Sequence, residues 1–184
     1  MRCGIFWTGW RVALVTTEYL MEREMEHVFA ALTPGNRAAC KVAVHTGMRI
    51  GDVLALRTEK FRPQMWVTES KTKKRRRVNL PKSLYEEVKA QAGETWVFPS
   101  PRNPVKHRTR QAVWHDVKRA ARAFRLPQNV GVHSLRKRYA VEQLERSGGN
   151  YERVRRLLNH SDMAVTMIYA MSYQLYCVKY GKTG

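Results

Sequence analysis

The stretch HSLRKRYAVEQLERSGGNYERVRRLLNHSDMAVTMIY, residues 133–169, is the part around which the rest of the chain is organised. His133 and Arg136 stand three residues apart, His160 follows, and Tyr169 comes nine residues after His160. Side chains one helical turn apart can face the same point. An arginine fork suits a phosphate, and a tyrosine hydroxyl can attack one. The stretch therefore suggests phosphoryl chemistry with a tyrosine nucleophile.

The charge of the chain points to a polyanionic partner. Among its 184 residues, 34 Lys and Arg stand against 15 Asp and Glu, which gives a formal net charge of +19. Such a field attracts nucleic acid or an anionic membrane surface. No apolar run is long enough to span a bilayer, and the apolar residues 1–16 show no clear signal-peptide cleavage site. The apolar fraction of 43% indicates one domain with a real core, and nucleic acid is the leading partner class.

Apolar spacing predicts a mostly helical domain. A helix is predicted over residues 17–32, with Thr17 as its N-cap and Pro34-Gly35 ending it. In the 109–124 helix, Trp114 and Phe124 are placed on or near the apolar face. Further helices are predicted at residues 36–45, 50–56, 81–93, 109–124 and 134–146, after Asn150, and after Ser161 or Asp162. Short strands are predicted at residues 65–69 and 77–80, with a short strand or extended piece at 96–98.

The turn Thr46-Gly47-Met48-Arg49 precedes one of these helices. A glycine at position 47 would let the chain turn tightly and project Arg49 from the start of the next helix. A helix N-terminus and a guanidinium would together favour a phosphate at that point. Arg49 could equally be a surface arginine paired with Asp52, and this motif alone leaves both interpretations open.

A basic run lies between the two predicted strands. A run of this kind is usually a solvated face that contacts phosphates without specificity. A lysine fixed on a hairpin could also deliver a proton to a departing oxygen. The Pro- and Arg-rich loop at residues 100–110, with Arg108 and Arg110, is predicted to face DNA. The cations of the basic run are Lys71, Lys73, Lys74, Arg75, Arg76 and Arg77.

Four tyrosines near the C-terminus compete for the role of nucleophile. Tyr169, Tyr173, Tyr176 and Tyr180 are spaced by 4, 3 and 4 residues, as along one stripe of a continuous helix. That stripe could be a packing face rather than an active site, so periodicity alone does not select Tyr169.

Four motifs in order resemble the catalytic domain of tyrosine recombinases, the phage-integrase family. They are TGMRIGDVLALR (46–57), the lysine hairpin, HSLR (133–136) and LLNHSDMAVTMIY (157–169). The resemblance implies an α/β (α+β) fold, mostly helical with a small antiparallel sheet. It implies a catalytic domain at residues 17–169, after a leader or linker remnant at 1–16. The tail at 170–184 would pack on this subunit or in trans on a neighbour.

The resemblance implies roles for the residues of the first half and of the H-x-x-R motif. Arg49 and Arg136 look like the catalytic arginines that hold the non-bridging oxygens of the scissile phosphate. Asp52 looks like the supporting acidic residue, where the family usually has Glu. Lys71 aligns with the hairpin lysine that protonates the leaving 5′ oxygen, and Lys73 is close enough to be the alternative.

The remaining roles concern the nucleophile and its helpers. Tyr169 looks like the nucleophile that becomes linked to the DNA 3′ end, and His133 like its base or proton shuttle. His160 looks like a hydrogen-bond donor to the phosphate, and Asn159 sits where glycine is common. A free 5′-OH then reverses the step, so the resemblance implies no cofactor. No carboxylates cluster in the manner that holds two metals, and no metal is expected.

The resemblance also implies partners and a setting. The substrate would be double-stranded DNA, bound by a homo-oligomer (tetramer) with an accessory DNA-bending or directionality factor. A cytoplasmic, nucleoid-associated protein of a prokaryote, phage or mobile element is expected, and the three scattered cysteines fit a reducing compartment. Family members usually carry an N-terminal helical domain that closes around DNA. Only residues 1–16 precede the pattern, so weaker and less specific DNA binding is expected.

Other functions share parts of this pattern. A basic DNA-binding module with a decayed active site would keep the charge but form no covalent adduct. A type IB topoisomerase would use the same chemistry and would relax supercoiled DNA without a second site. An RNA-binding protein is disfavoured because no RNA-module motif is visible. The favoured interpretation is a site-specific DNA recombinase that cleaves and rejoins DNA through a 3′-phosphotyrosyl intermediate.

Overall fold

The computed structural model describes residues 17–181 and is mostly helical with one two-stranded antiparallel sheet, which confirms the predicted fold class. The predicted leader at residues 1–16 and the last residues of the predicted tail lie outside the described residues. The first half contains α1 (Glu22–Ala31), α2 (Pro34–Thr46), α3 (Ile50–Leu54), a 3-10 turn (Thr58–Lys60), β1 (Gln64–Thr68), β2 (Arg75–Asn79) and α4 (Lys82–Lys89). The second half contains α5 (Arg110–Ala123), α6 (Val132–Arg146), α7 (Tyr151–Leu158), α8 (Met163–Ala170) and α9 (Ser172–Tyr180). Among these helices, none combines the length and apolar character that crossing a membrane requires.

The first helix starts later than predicted, and Thr17 is not its N-cap. The chain before α1 pairs with a distant loop, because the Glu18 N–H donates to the Asn129 carbonyl at 2.9 Å. α1 begins after Met21, whose N–H donates to the Glu24 carboxylate at 2.9 Å. An acidic first turn also suits the positive end of a helix. Tertiary pairing of the preceding segment therefore moves the helix start by several residues.

Pro34 begins α2, where the sequence pattern had placed the end of the preceding helix. A proline loses nothing at the first helical position, because its missing N–H would have no partner there. Asp116 of α5 satisfies the turn before it, accepting from the Thr33 N–H at 3.0 Å and from the Thr33 hydroxyl at 2.9 Å. The predicted helix at residues 36–45 is confirmed and extends further at both ends.

α2 lies at the centre of the core. Ala38, Ala39, Cys40 and Val42 are fully buried, and α2 packs against α3, α4 and α6. Small side chains allow the close approach of neighbouring helices, and the packing places the C-terminal end of α2 beside α6. The first turn of α6 carries two of the predicted site residues.

α5 buries a narrower stripe than predicted. Val113, Val117 and Ala120 face the core, whereas Trp114 is 43% exposed and Phe124 is 40% exposed. Trp114 lies about 100° around the helix from the buried row. Phe124 is the C-cap residue, beyond the last helical position. Both aromatic rings therefore leave the core face to which the sequence pattern had assigned them.

The sheet is a single hairpin. β1 and β2 pair antiparallel with Trp66 opposite Arg77 at the centre, and alternate residues of β1 are buried. Residues 69–74 form the connection that carries the predicted lysines. The extended piece at 96–98 does not become a strand, because Trp96 makes only an isolated bridge in the described chain.

The predicted continuous helix through the four tyrosines is broken between α8 and α9. Tyr169 lies on α8, and Tyr173, Tyr176 and Tyr180 lie on α9. α9 packs on its own subunit, where the rings of Tyr173 and Tyr176 meet Tyr19 edge-on with centroids 5.5 and 5.9 Å apart. The later tyrosines therefore form a packing face that is separate from Tyr169.

Candidate active site

One cleft gathers the residues predicted to perform phosphoryl chemistry. It lies where the α2–α3 turn, the β1–β2 hairpin, the first turn of α6 and the α7–α8 region meet, and its volume is about 190 Å³. Residues from both halves of the chain thereby share one space. The predicted catalytic residues that line it are Arg49, Lys71, His133, Arg136, His160 and Tyr169.

Arg136 is held by the carboxyl ends of two helices. Its guanidinium donates to the Gly47 carbonyl at the C-cap of α2 and, at 2.8 Å, to the Leu158 carbonyl at the end of α7. Helix C-termini carry partial negative charge, so both contacts favour a cation. Burial, and then the nearby Arg49, lower the pKa of Arg136 to about 10, which leaves it charged at neutral pH. The guanidinium fork is thus fixed in place by the protein itself.

Gly47 provides a first testable prediction. It has φ +63°, and a Cβ added there would lie 2.3 Å from the ring of Tyr139. Gly47→Ala should therefore lower the thermal unfolding midpoint by several degrees, because left-handed strain of about 1–2 kcal/mol adds to a steric clash. Gly148→Ala is the matched control, since φ is +62° and nothing lies within 4 Å of the added Cβ. Melting curves followed by circular dichroism compare them, and equal losses would contradict a role for the Tyr139 contact.

Arg49 pairs with Glu69 and not with Asp52. Its Nη1 donates to the Glu69 carboxylate at 2.5 Å. Asp52 instead accepts from the Ser70 N–H at 2.9 Å and from the Ser70 hydroxyl at 2.6 Å. The alternative of a surface pair between Arg49 and Asp52 is therefore wrong. Asp52 ties α3 to the residue that precedes Lys71.

Glu69 was not among the predicted site residues, although its place in the strand pattern gives a signal. Met65 and Val67 alternate into the core along β1, and Glu69 continues the same alternation just beyond the strand. The Glu69 side chain is 0% exposed. A carboxylate in the buried phase of a strand needs a partner inside the protein. No arginine of the basic run that follows was predicted to point inward, so no buried partner for Glu69 was expected from it.

Lys71, and not Lys73, lines the cleft. Lys71 is an exposed residue at its rim, where a leaving oxygen could reach the amine. Lys73 lies on the turn of the hairpin with φ +57°, and it is not among the residues that line this cleft. The geometry therefore favours Lys71 as the proton donor.

Tyr169 meets His133 inside the cleft. Its hydroxyl lies 3.2 Å from His133 Nδ1. Burial, and then Arg136, lower the pKa of His133, so its ring is neutral at pH 7 and can accept a proton. Burial raises the pKa of Tyr169, while Arg136 and Arg49 oppose this by favouring the phenolate. A hydroxyl beside a neutral base and two guanidinium groups is an arrangement suited to a nucleophile.

His160 orients Arg136 in this arrangement. Its Nε2 lies 3.3 Å from Arg136 Nη2, and its Nδ1 lies 3.0 Å from the Thr166 hydroxyl. Because an arginine only donates, Nε2 accepts and the ring proton is on Nδ1. Burial lowers the pKa of His160 to about 4. Its predicted role as a donor to the phosphate stays a prediction and would require the other tautomer.

Asn159 occupies the position where glycine is common in the tyrosine recombinases that the sequence resembles. It has φ +51° and forms the left-handed C-cap of α7. Asparagine tolerates this conformation better than most residues. The turn that leads into His160 is therefore formed without glycine.

Comparison with known proteins decides the family. Residues 18–175 match the sequence model of the phage integrase family. The chain belongs to the phage integrase family. The probable integrase/recombinase YoeC of Bacillus subtilis (strain 168) is 32% identical over 132 residues, which cover 68% of this chain and 71% of that protein.

Solved integrase structures share the fold of this chain. Lambda integrase (residues 75–356) bound to DNA gives a TM-score of 0.70 at 21% identity, covering 91% of this chain and 63% of that one. The catalytic domain of bacteriophage HP1 integrase gives a TM-score of 0.60 at 23% identity, covering 90% of this chain and 95% of that one. This chain thus spans less than two thirds of the lambda integrase chain and nearly all of the HP1 integrase catalytic domain. The family and its named relatives support a site-specific recombination function.

The residues that were predicted to contact DNA differ in exposure. Arg108 is only partly exposed, and its guanidinium donates to the Asn36 side chain at 3.1 Å. It is therefore partly engaged within the protein. The exposed members of the set are Lys73, Lys74, Arg75, Arg77 and Arg110.

Arg76 points inward, which corrects its assignment to the DNA-contacting set. It donates to the carbonyls of Thr46 and Leu157, and its Nε lies 3.6 Å from the Glu69 carboxylate. Its side chain is only 11% exposed. The alternation of β2 places this arginine on the inner face, whereas its neighbours on either side face solvent. Arg76 ties the hairpin to the ends of α2 and α7.

Proposed function

We propose that this integrase is a site-specific DNA recombinase that cleaves and rejoins DNA through a 3′-phosphotyrosyl intermediate. The observation that carries the proposal is the Tyr169 hydroxyl, 3.2 Å from the neutral His133 in a cleft lined by two arginines and a lysine. Each group that a phosphoryl transfer needs has one candidate there.

The proposed reaction has two matching steps. In the first, the Tyr169 oxygen bonds to the scissile phosphorus and its proton passes to His133. The bond from phosphorus to the 5′ oxygen breaks, and Lys71 gives that oxygen a proton. In the second, a 5′-OH of the partner strand attacks the phosphotyrosine and the proton transfers run backwards. One phosphodiester replaces another, so the proposal needs no cofactor.

Two guanidinium groups would stabilise the charge that develops on the non-bridging oxygens. Arg136 is already anchored by two helix ends, and Arg49 is anchored by Glu69. Donors that are fixed in advance need no reorganisation during the reaction, and losing one such donor slows a reaction by about 10²–10³. Asp52 would support the acid by holding Ser70, the neighbour of Lys71.

Double-stranded DNA is the proposed substrate. The lambda integrase that shares this fold is bound to DNA, and the net charge of +19 suits a polyanion. The exposed cations of the hairpin would contact phosphates beside the cleft. We extend the proposal to a tetramer on DNA, an accessory bending or directionality factor, and association with the nucleoid. Bacterial and phage relatives support a prokaryotic or mobile-element origin.

Covalent capture tests the proposed function. The protein is incubated with nicked duplexes of randomised sequence, in which the cleaved end diffuses away and the adduct cannot be resealed. An SDS-resistant protein–DNA band is the expected result, and sequencing of the captured strands would supply a defined substrate. Tight DNA binding with no band at any protein concentration would favour a binding module without strand-transfer activity.

The rate of adduct formation should depend on pH through His133. Its pKa is lowered from 6.5 by burial and by Arg136, so the neutral base is present above that lowered value. The single-turnover rate should be nearly flat around pH 7–8 and should fall only at a pH below 6.5, the ordinary pKa of histidine, because the pKa of His133 is lowered from that value. The single-turnover rate of His133→Gln should be low at every pH and should not show this fall at acidic pH. A wild-type rate that rises on acidification would contradict the assignment of His133 as base.

A further inference from the structure

Glu69 is a buried carboxylate that lies beside two arginines at the cleft. It is fully buried at the end of β1, between Arg49 on one side and Arg76 on the other. Arg49 Nη1 lies 2.5 Å from one carboxylate oxygen, and Arg76 Nε lies 3.6 Å from the other. A buried charge is tolerated only when it is paired in this way.

The same residue also closes the hairpin that carries Lys71. The Glu69 N–H donates to the Lys74 carbonyl at 3.1 Å, and the Lys73 N–H donates to the Glu69 carbonyl at 2.9 Å. The Thr72 hydroxyl donates at 3.1 Å to the carboxylate oxygen that also accepts from Arg49. One oxygen thus fixes both a guanidinium in the cleft and the loop beside the candidate acid.

We propose that Glu69 is a positioning residue for Arg49, an inference that rests on the proposed function. Glu69 holds one edge of the guanidinium, so that the opposite edge is presented to a phosphate oxygen in the cleft. Because its backbone closes the hairpin, Arg49 and Lys71 reach their working positions together. Glu69 touches no reacting atom in this scheme and acts only through Arg49 and the hairpin.

If Glu69 positions Arg49, its replacement should change the reaction rate without weakening DNA binding. Glu69→Gln removes a negative charge close to the phosphate site, so DNA binding should stay equal or become somewhat tighter. The neutral amide oxygen of glutamine holds the Arg49 guanidinium more weakly than a carboxylate does, so its orientation is less fixed and the single-turnover rate constant should fall by about tenfold or more. A purely structural role would instead reduce the amplitude of the reaction with the folded fraction and leave the rate constant unchanged.

The kinetic test compares this variant with two others on a captured substrate. Glu87→Gln is the control for charge, because Glu87 pairs with Lys41 at 2.8 Å on the surface. Glu87→Gln has the same net charge as Glu69→Gln, and its rate constant should equal that of the wild type. Glu69→Asp keeps the charge on a shorter side chain and should recover part of the rate. A wild-type rate constant in Glu69→Gln would overturn the proposal.

A second measurement needs no reaction and no DNA. Phenylglyoxal modifies accessible arginines, and peptide mass spectrometry reads the rate at each site. In Glu69→Gln the rate at Arg49 should rise several-fold, whereas Arg136, which is anchored by other groups, and the exposed Arg77 should be unchanged. An unchanged rate at Arg49, or a parallel rise at Arg136, would overturn the proposal. If wild-type protein formed no covalent adduct with DNA, that result would count against the proposed function alone. The labelling experiment tests the contact between Glu69 and Arg49 and does not depend on DNA cleavage.

Discussion

Replacing Tyr169 with phenylalanine should abolish the SDS-resistant protein–DNA band. The substitution removes the oxygen that bonds to phosphorus and leaves the ring, which lies edge-on to His160 with centroids 5.1 Å apart. The fold should therefore be retained, while the rate should fall by at least about a thousandfold, below detection. The measurement is denaturing gel electrophoresis of labelled nicked duplexes with each variant.

Tyr173→Phe is the matched control for the nucleophile. Tyr173 lies in α9, across the helix break from Tyr169, and its ring packs against that of Tyr19. Loss of the Tyr173 hydroxyl should therefore leave the band intact. A band that persists with Tyr169→Phe would keep the covalent chemistry and assign it to another tyrosine. That result would also require α9 to leave its packing position, which limited proteolysis could detect.

Arg136→Lys should slow adduct formation by about 10²–10³ although it keeps the charge. A lysine amine cannot replace a planar fork that contacts the Gly47 carbonyl, the Leu158 carbonyl and His160 together. Buried carbonyls at two helix ends would lose their donor, which should destabilise the fold by about 1–3 kcal/mol. Single-turnover rates and thermal unfolding report the two effects separately.

Arg138→Lys controls for the chemistry of this substitution on the same helix. Arg138 pairs with Glu142 at 2.7 Å, outside the residues that line the cleft. Its replacement should leave the rate constant within about twofold of wild type, because the partners of Arg138 are Glu142, Glu22 and Tyr19, none of which lines the cleft. If Arg136→Lys reacted as fast as Arg138→Lys, the anchored fork would have no part in the reaction.

Local signals made much of the site predictable. Gly47 marks the turn that projects Arg49, and the three-residue spacing of His133 and Arg136 places both on one face of a helix. Side-chain partners far apart in the chain have no such signal. Arg49 meets Glu69 across 20 positions, and Arg76 meets Leu157 across 81. Whether a cation in a basic run faces solvent or protein is decided by these distant partners.

The predicted helix boundaries were also wrong where side chains form hydrogen bonds that the spacing of apolar residues does not show. The spacing of four tyrosines predicts one helix, yet the Ser172 hydroxyl donates to the Tyr169 carbonyl at 2.6 Å where the chain breaks. Serine side chains compete with backbone hydrogen bonding in this way. The spacing of the tyrosines carries no sign of this break, which separates Tyr169 in the cleft from the three tyrosines of α9.

The two carbonyls that hold Arg136 make cutting conditional on complete folding. They belong to residues 89 and 22 positions away from the arginine, so the guanidinium is fixed only after α2, α6 and α7 have come together. A partly folded copy, whether newly synthesised or locally opened, keeps its positive charge and can still adhere to a chromosome. Under the proposed function, such a copy would bind DNA without the fixed Arg136 fork that the first step of the reaction requires, so strand cleavage would be confined to fully folded protein.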